Sequence, residues 1–207
     1  MRRHQSGFTL IEIAIVLVII GLLLGGILKG QELINSARVK NLATDFRNIP
    51  LYIYGYQDKF KALPGDDINA ATHTGGTVAT TPATGTRGNG AIEGSWDSTT
   101  ATDESYLFWQ HVRLASLAPG PTTTGTGFLP TNTVGGVIGI QSAAPFTGIN
   151  GTYFICSAGI LGKFVKQLDS QLDDANTATG SMMAGTTLPT PLATLADSTT
   201  YTVCMGI

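Results

Sequence analysis

One acid sits where acids are rare. Residues 8–28 are apolar apart from Thr9, Glu12 and several glycines, and a carboxylate inside a membrane-spanning helix costs roughly 2.5–3.5 kcal/mol on insertion scales. Glu12 follows Phe8 by four residues, one helical turn. A cut between Gly7 and Phe8 would free an α-ammonium able to pair with Glu12 of the same chain or of a neighbour. Between subunits stripped of lipid, that pair would satisfy both charges and fix the axial register of packing.

Other chemistry is sparse. The three histidines are His4, His73 and His111, and no Ser/His/Asp or Cys/His set has recognisable spacing, so no catalytic residue is expected. His111, between Gln110 and Val112 in a helical stretch, reads as a packing residue, and Trp96 and Trp109 read as core. Two cysteines, Cys156 and Cys204, are too few for a zinc site. In an exported domain they read as one disulfide tying the C-terminal strand to an internal one. Asp169, Asp173, Asp174 and Asn176 offer oxygens for Ca²⁺ without EF-hand spacing; the competing reading is a helix end followed by an Asx turn. No other metal or cofactor is expected.

The elements that would hold these residues begin with the apolar run. Twenty-one residues span a bilayer as a helix, and the basic head, Arg2 and Arg3, keeps the N-terminus cytoplasmic while the rest crosses outward. No small-residue cleavage pattern follows Leu28, so the run is expected to stay in the mature protein. Gly21-x-x-x-Gly25 and Gly26-x-x-x-Gly30 have helix-packing spacing, and the cluster Gly25, Gly26, Gly30 is where the helix should soften. Further on, Leu42, Phe46, Ile49, Ile53, Tyr56 and Phe60 step by 4, 3, 4, 3, 4, one apolar face, with Pro50 expected to kink or interrupt it. Residues 8–61 would make a helix of about 80 Å at ~1.5 Å per residue. A domain of this size has no core that long, so half the helix must find lipid or sister subunits.

Beyond it, 62–67 ends the helix with Gly65 as a suitable cap. Residues 72–102 read as an irregular Thr/Gly/Ala loop, 103–117 as a helix capped by Asp103, 137–140 and 152–156 as strands, 162–174 as a helix, and 201–205 as a closing strand. Charged residues are only 13% of the chain against 43% hydrophobic, which argues against disorder. The net charge of −2, or −4 without Arg2 and Arg3, gives no footprint for nucleic acid.

Gly7-Phe8-Thr9-Leu10-Ile11-Glu12 at the head of an apolar helix resembles the class III signal of type IV prepilins and type II secretion pseudopilins. The resemblance implies a leader, 1–7, removed by prepilin peptidase, and N-methylation of Phe8. It implies a long helix over 8–61, with 8–28 the transmembrane and assembly part, and a head over 62–207 of α+β pilin fold with a small antiparallel sheet. It further implies an inner-membrane protein, head outside the cytoplasm, that an assembly platform polymerises with sister subunits into an extracellular filament. The alternatives are a pseudopilin of a type II secretion system and a monomeric membrane-anchored binding module. Some pseudopilins bind Ca²⁺ in their C-terminal region, which brings Asp169, Asp173, Asp174 and Asn176 back into view.

Overall fold

The computed structural model describes residue 7 and residues 9–81 and 86–207. The expected leader (apart from Gly7), Phe8 and part of the 72–102 loop lie outside the described residues. Two compact units divide the chain, Met1–Ala37 and Arg38–Ile207.

Helix α1 runs Leu10–Phe60. In its first part almost every side chain is exposed, from Leu10 at 93% to Ile34 at 56%. From Val39 on, the seam takes over: Leu42, Phe46, Ile49, Ile53 and Tyr56 are buried, joined by Val39 and Ala43, whereas Phe60 is half-buried. Of the two outcomes expected at Pro50, interruption does not occur: the helix continues through it. A proline costs a helix interior ~3 kcal/mol, and here Phe46, Ile49 and Ile53, all buried around it, hold the turn closed. The stop also differs. Lys61, not Gly65, takes the left-handed conformation that ends the helix (φ 54°), its N–H donating to the Gln57 carbonyl at 2.8 Å.

The unit Arg38–Ile207 holds the rest. After a four-residue turn of helix, α2 (Ala70–His73), come α3 (Glu104–Leu114), β1 (Ile138–Gln141), β2 (Phe154–Leu161), α4 (Gly162–Leu172), β3 (Met182–Gly185) and β4 (Thr200–Gly206). The sheet is wholly antiparallel in the order β1-β2-β4-β3. Leu42, Phe46 and Ile53 of α1 share one core with Phe108 and Val112 of α3, Ile140 and Ile155 of the sheet, and Val165 and Leu168 of α4. The α+β architecture read from the sequence is therefore present, with a long apolar helix packed on a small antiparallel sheet.

Three local expectations need correction. Strand β3 was not anticipated: Met182-Met183-Ala184-Gly185 has little strand propensity, and burial on both faces decides its conformation. Asp103 stands at the cap position of α3 but makes no capping bond; its carboxylate instead accepts from the hydroxyls of Thr81 and Ser98. Helix α3 stops at Leu114, three residues early, because Ser116 turns left-handed (φ 61°).

Cys156 and Cys204 face each other across β2 and β4 and are bonded. The link closes a loop over 48 positions that contains α4 and β3. In the chain-entropy account such a loop is worth about 4 kcal/mol. Replacing both cysteines by serine is expected to lower the denaturant midpoint accordingly, and an unchanged midpoint would show that the bond does not constrain the unfolded chain.

Candidate functional site

The helix start is built by its own sequence. Thr9 precedes the first residue of α1, and Glu12 lies three residues on, the S/T-x-x-E arrangement of a capping box. The Glu12 carboxylate accepts from the Thr9 N–H at 2.8 Å and the Thr9 hydroxyl at 2.7 Å, while the Glu12 N–H donates back to Thr9 Oγ1 at 3.3 Å. This role went unread in the sequence although its signal was there. Of the expected cleavage pair, Gly7 is exposed; Phe8 lies outside the described residues. A Cβ at Gly21, Gly25, Gly26 or Gly30 would meet nothing within 4 Å, and α1 stays helical through all four. The helix is long and apolar enough to cross a bilayer, and its most apolar window is entirely uncovered by protein.

Within Arg38–Ile207, a buried histidine organises the turn after α1. His111 is 0% exposed. Its Nδ1 accepts from the Gly65 N–H at 2.9 Å, and its Nε2 lies 2.8 Å from the Thr77 carbonyl. Those partners require the neutral ring with the proton on Nε2. Burial holds its pKa below the ordinary value, against the pull of Thr77 and Asp67. Gly65 must be glycine: its φ is +92°, and a Cβ there would stand 2.5 Å from the Glu104 carbonyl oxygen.

Next to it, Asp67 is 2% exposed and collects three donors. Its Oδ2 accepts from Tyr56 at 2.7 Å and lies 2.7 Å from His73 Nδ1; its Oδ1 accepts from the Asn69 N–H at 2.8 Å. Burial alone would raise this carboxyl, but the three hydrogen bonds together hold it below its ordinary value. Tyr56 is pushed up, by burial first and then by Asp67. Among the described residues no hydroxyl or thiol nucleophile bonds either His73 or His111, and both cysteines are in the disulfide. The arrangement fastens the chain; it has no nucleophile to activate.

Two sets of acids converge. Asp169, Asp173 and Asp174 each bring an oxygen within 4.8 Å of the others. Asp173 accepts from the N–H groups of Ser181 and Met182, whereas fully buried Asp169 has no partner for either oxygen. Burial, with Asp173 and Asp174 close by, pushes Asp169 up to about 6. Asn176, grouped with them by sequence, uses its side-chain oxygen on the Ala178 N–H at 3.3 Å, an Asx turn. The second set, Asp66, Glu93 and Glu104, was not visible as a set in the sequence. Its members are drawn from three separate segments.

Residues 2–28 match the prokaryotic N-terminal methylation motif. No curated protein and no solved structure matches the chain. The N-terminal segment is thus of the type IV prepilin kind: a class III signal at the head of a membrane-capable helix. The proteins that carry this motif are structural subunits rather than enzymes.

His111 gives a pH prediction. Its folded pKa lies below the ordinary 6.5, so the unfolded chain takes the proton first. The stability it contributes is complete above about pH 6.5 and is lost as pH falls below that value. Thermal unfolding between pH 7.5 and 5 should show a steeper decline for the native chain than for His111→Gln, and parallel profiles would refute the assignment.

Proposed function

We propose that this chain is a structural subunit of a type IV pilus-like extracellular filament. Prepilin peptidase cuts between Gly7 and Phe8, Phe8 is N-methylated, and an inner-membrane assembly platform adds the subunit to its sisters. Before assembly the apolar helix lies in the inner membrane with the head outside the cytoplasm; afterwards the protein is in the fibre. The observation that carries this reading is the uncovered apolar length of α1 with a single acid, Glu12, at its head. Lipid can cover that surface, and so can copies of itself. Gly21, Gly25, Gly26 and Gly30, open in the single chain, are where neighbouring helices would approach closely.

The same features support a pseudopilin of a secretion system. The pilus reading is preferred for the C-terminal region closed by Cys156–Cys204. Asp169, Asp173 and Asp174 also fit a hard cation such as Ca²⁺. Asp169, buried with both oxygens free of partners, would be its central ligand, and Asn176 would stay outside.

Two measurements test the filament. Mass spectrometry of sheared surface fibres should recover an N-terminal peptide beginning at methylated Phe8. Glu12→Ala should reduce fibre yield to background while the subunit still accumulates in the membrane. An intact leader on the surface protein, with no fibre containing the chain, would leave a monomeric anchored module as the better description; fibres from the Glu12→Ala chain would remove Glu12 from the assembly contact.

A further inference from the structure

The second acid set stands apart from anything the filament requires. Glu104 opens α3 and is 0% exposed; Asp66 is 4% exposed and Glu93 half-buried. One oxygen from each lies within 4.8 Å of the others. Among the described residues no lysine, arginine or histidine pairs with any of the three. Glu104 Oε2 accepts from the Glu93 N–H at 2.9 Å, and Glu93 Oε1 accepts from Asn89 Nδ2 at 2.9 Å. The remaining oxygens, Glu104 Oε1 and Glu93 Oε2, are buried with no partner. Buried acceptors without donors are costly, and three carboxylates without a counter-charge are costlier still.

We infer that Asp66, Glu93 and Glu104 bind a hard divalent cation, Ca²⁺ before others, which staples the Gly88–Gly90 turn to the start of α3. The donor set is oxygen only, the preference of Ca²⁺ and not of zinc. Calcium–oxygen bonds of 2.3–2.6 Å put two ligands of one ion at most about 5.2 Å apart, which accommodates these three, all within 4.8 Å of one another. Asp66 already holds the turn, accepting from the N–H groups of Gly88 and Gly90, and each of its oxygens keeps a lone pair for an ion. Both glycines have positive φ, so the turn presents its amides to Asp66 and leaves the acids facing inward. Asp66 also lines an open cleft of about 700 Å³ beside Tyr153 and Asn69, a route for ions. Without a cation the set must keep a proton: burial, then Glu93 and Asp66, push Glu104 up to about 9. A carboxyl–carboxylate pair between Glu104 and Glu93 is thus the rival state, and it makes a different prediction.

The test uses the full chain in detergent, stripped with EGTA, at pH 7.5. The Asp169→Asn variant takes the buried, unpartnered carboxylate out of the other acid set. Calorimetric titration of that variant with Ca²⁺ should show one site, and a hundredfold excess of Ca²⁺ over the dissociation constant should raise its unfolding temperature by about 5 °C. Adding Glu104→Gln should weaken binding at least about tenfold and abolish the shift. No Ca²⁺ heat in Asp169→Asn, or a Glu104→Gln chain that binds as tightly as its parent, would overturn the site. So would a Glu104→Gln chain as stable as its parent with no Ca²⁺ shift in either, the signature of a shared proton. If Glu104→Gln fails to fold by circular dichroism, Glu93→Gln, on the half-buried partner, is read by the same criteria.

Discussion

Everything in this protein answers to one hydrophobic imbalance. Sixteen large apolar side chains between Leu10 and Ile34 are exposed in the single chain. Covering a Leu or Ile side chain fully is worth roughly 1.5–3 kcal/mol, so covering all of them is worth tens of kcal/mol, more than the ~5–15 kcal/mol that holds a domain folded. Water is therefore not a tenable neighbour for this stretch, and the capping box of Thr9 and Glu12 keeps its first turn helical whatever replaces water. The same helix then changes character within a few residues, and one face of it, from Val39 through Leu42, Phe46, Ile49 and Ile53 to Tyr56, is as deeply buried as the sheet.

The head solves a different problem: how to fix long irregular segments with little charge. It uses buried polar groups as rivets. His111 binds the backbone of Gly65 and Thr77, and Asp67 gathers Tyr56, His73 and the Asn69 amide. Arg113, 7% exposed, donates to the carbonyls of Pro119, Pro121 and Phe128. Each converts a flexible stretch into part of the core, and each would be expensive to leave half-satisfied.

What could be read beforehand follows from how far apart the cooperating residues lie. The methylation signal, the apolar helix and the 4,3,4,3,4 seam are local patterns; the first is matched by a family model over residues 2–28, and the other two stand in the structure. The disulfide needed only two cysteines to be paired. By contrast Asp66, Glu93 and Glu104 come from three segments whose meeting depends on Gly65 packing against the Glu104 carbonyl, which no spacing announces. Asp103 occupies the position its type suggested yet bonds hydroxyls brought in by tertiary folding. Strand β3 is set by its buried neighbours, not by its residues' propensities. Pro50 does not break the helix, because propensity is only a few kcal/mol and the residues around it are buried in the core.

The edges of the sheet limit how two heads can meet. Its outer strands, β1 and β3, are four residues each, and loop backbone already occupies hydrogen-bonding groups along both. Ile138 donates to Pro130 on one side; on the other, Ala184 donates to Thr177 and accepts from Leu192. A sheet trimmed in this way offers no ladder to an incoming strand. Edge-to-edge pairing of one head with another is therefore disfavoured at both of the sheet's natural starting points.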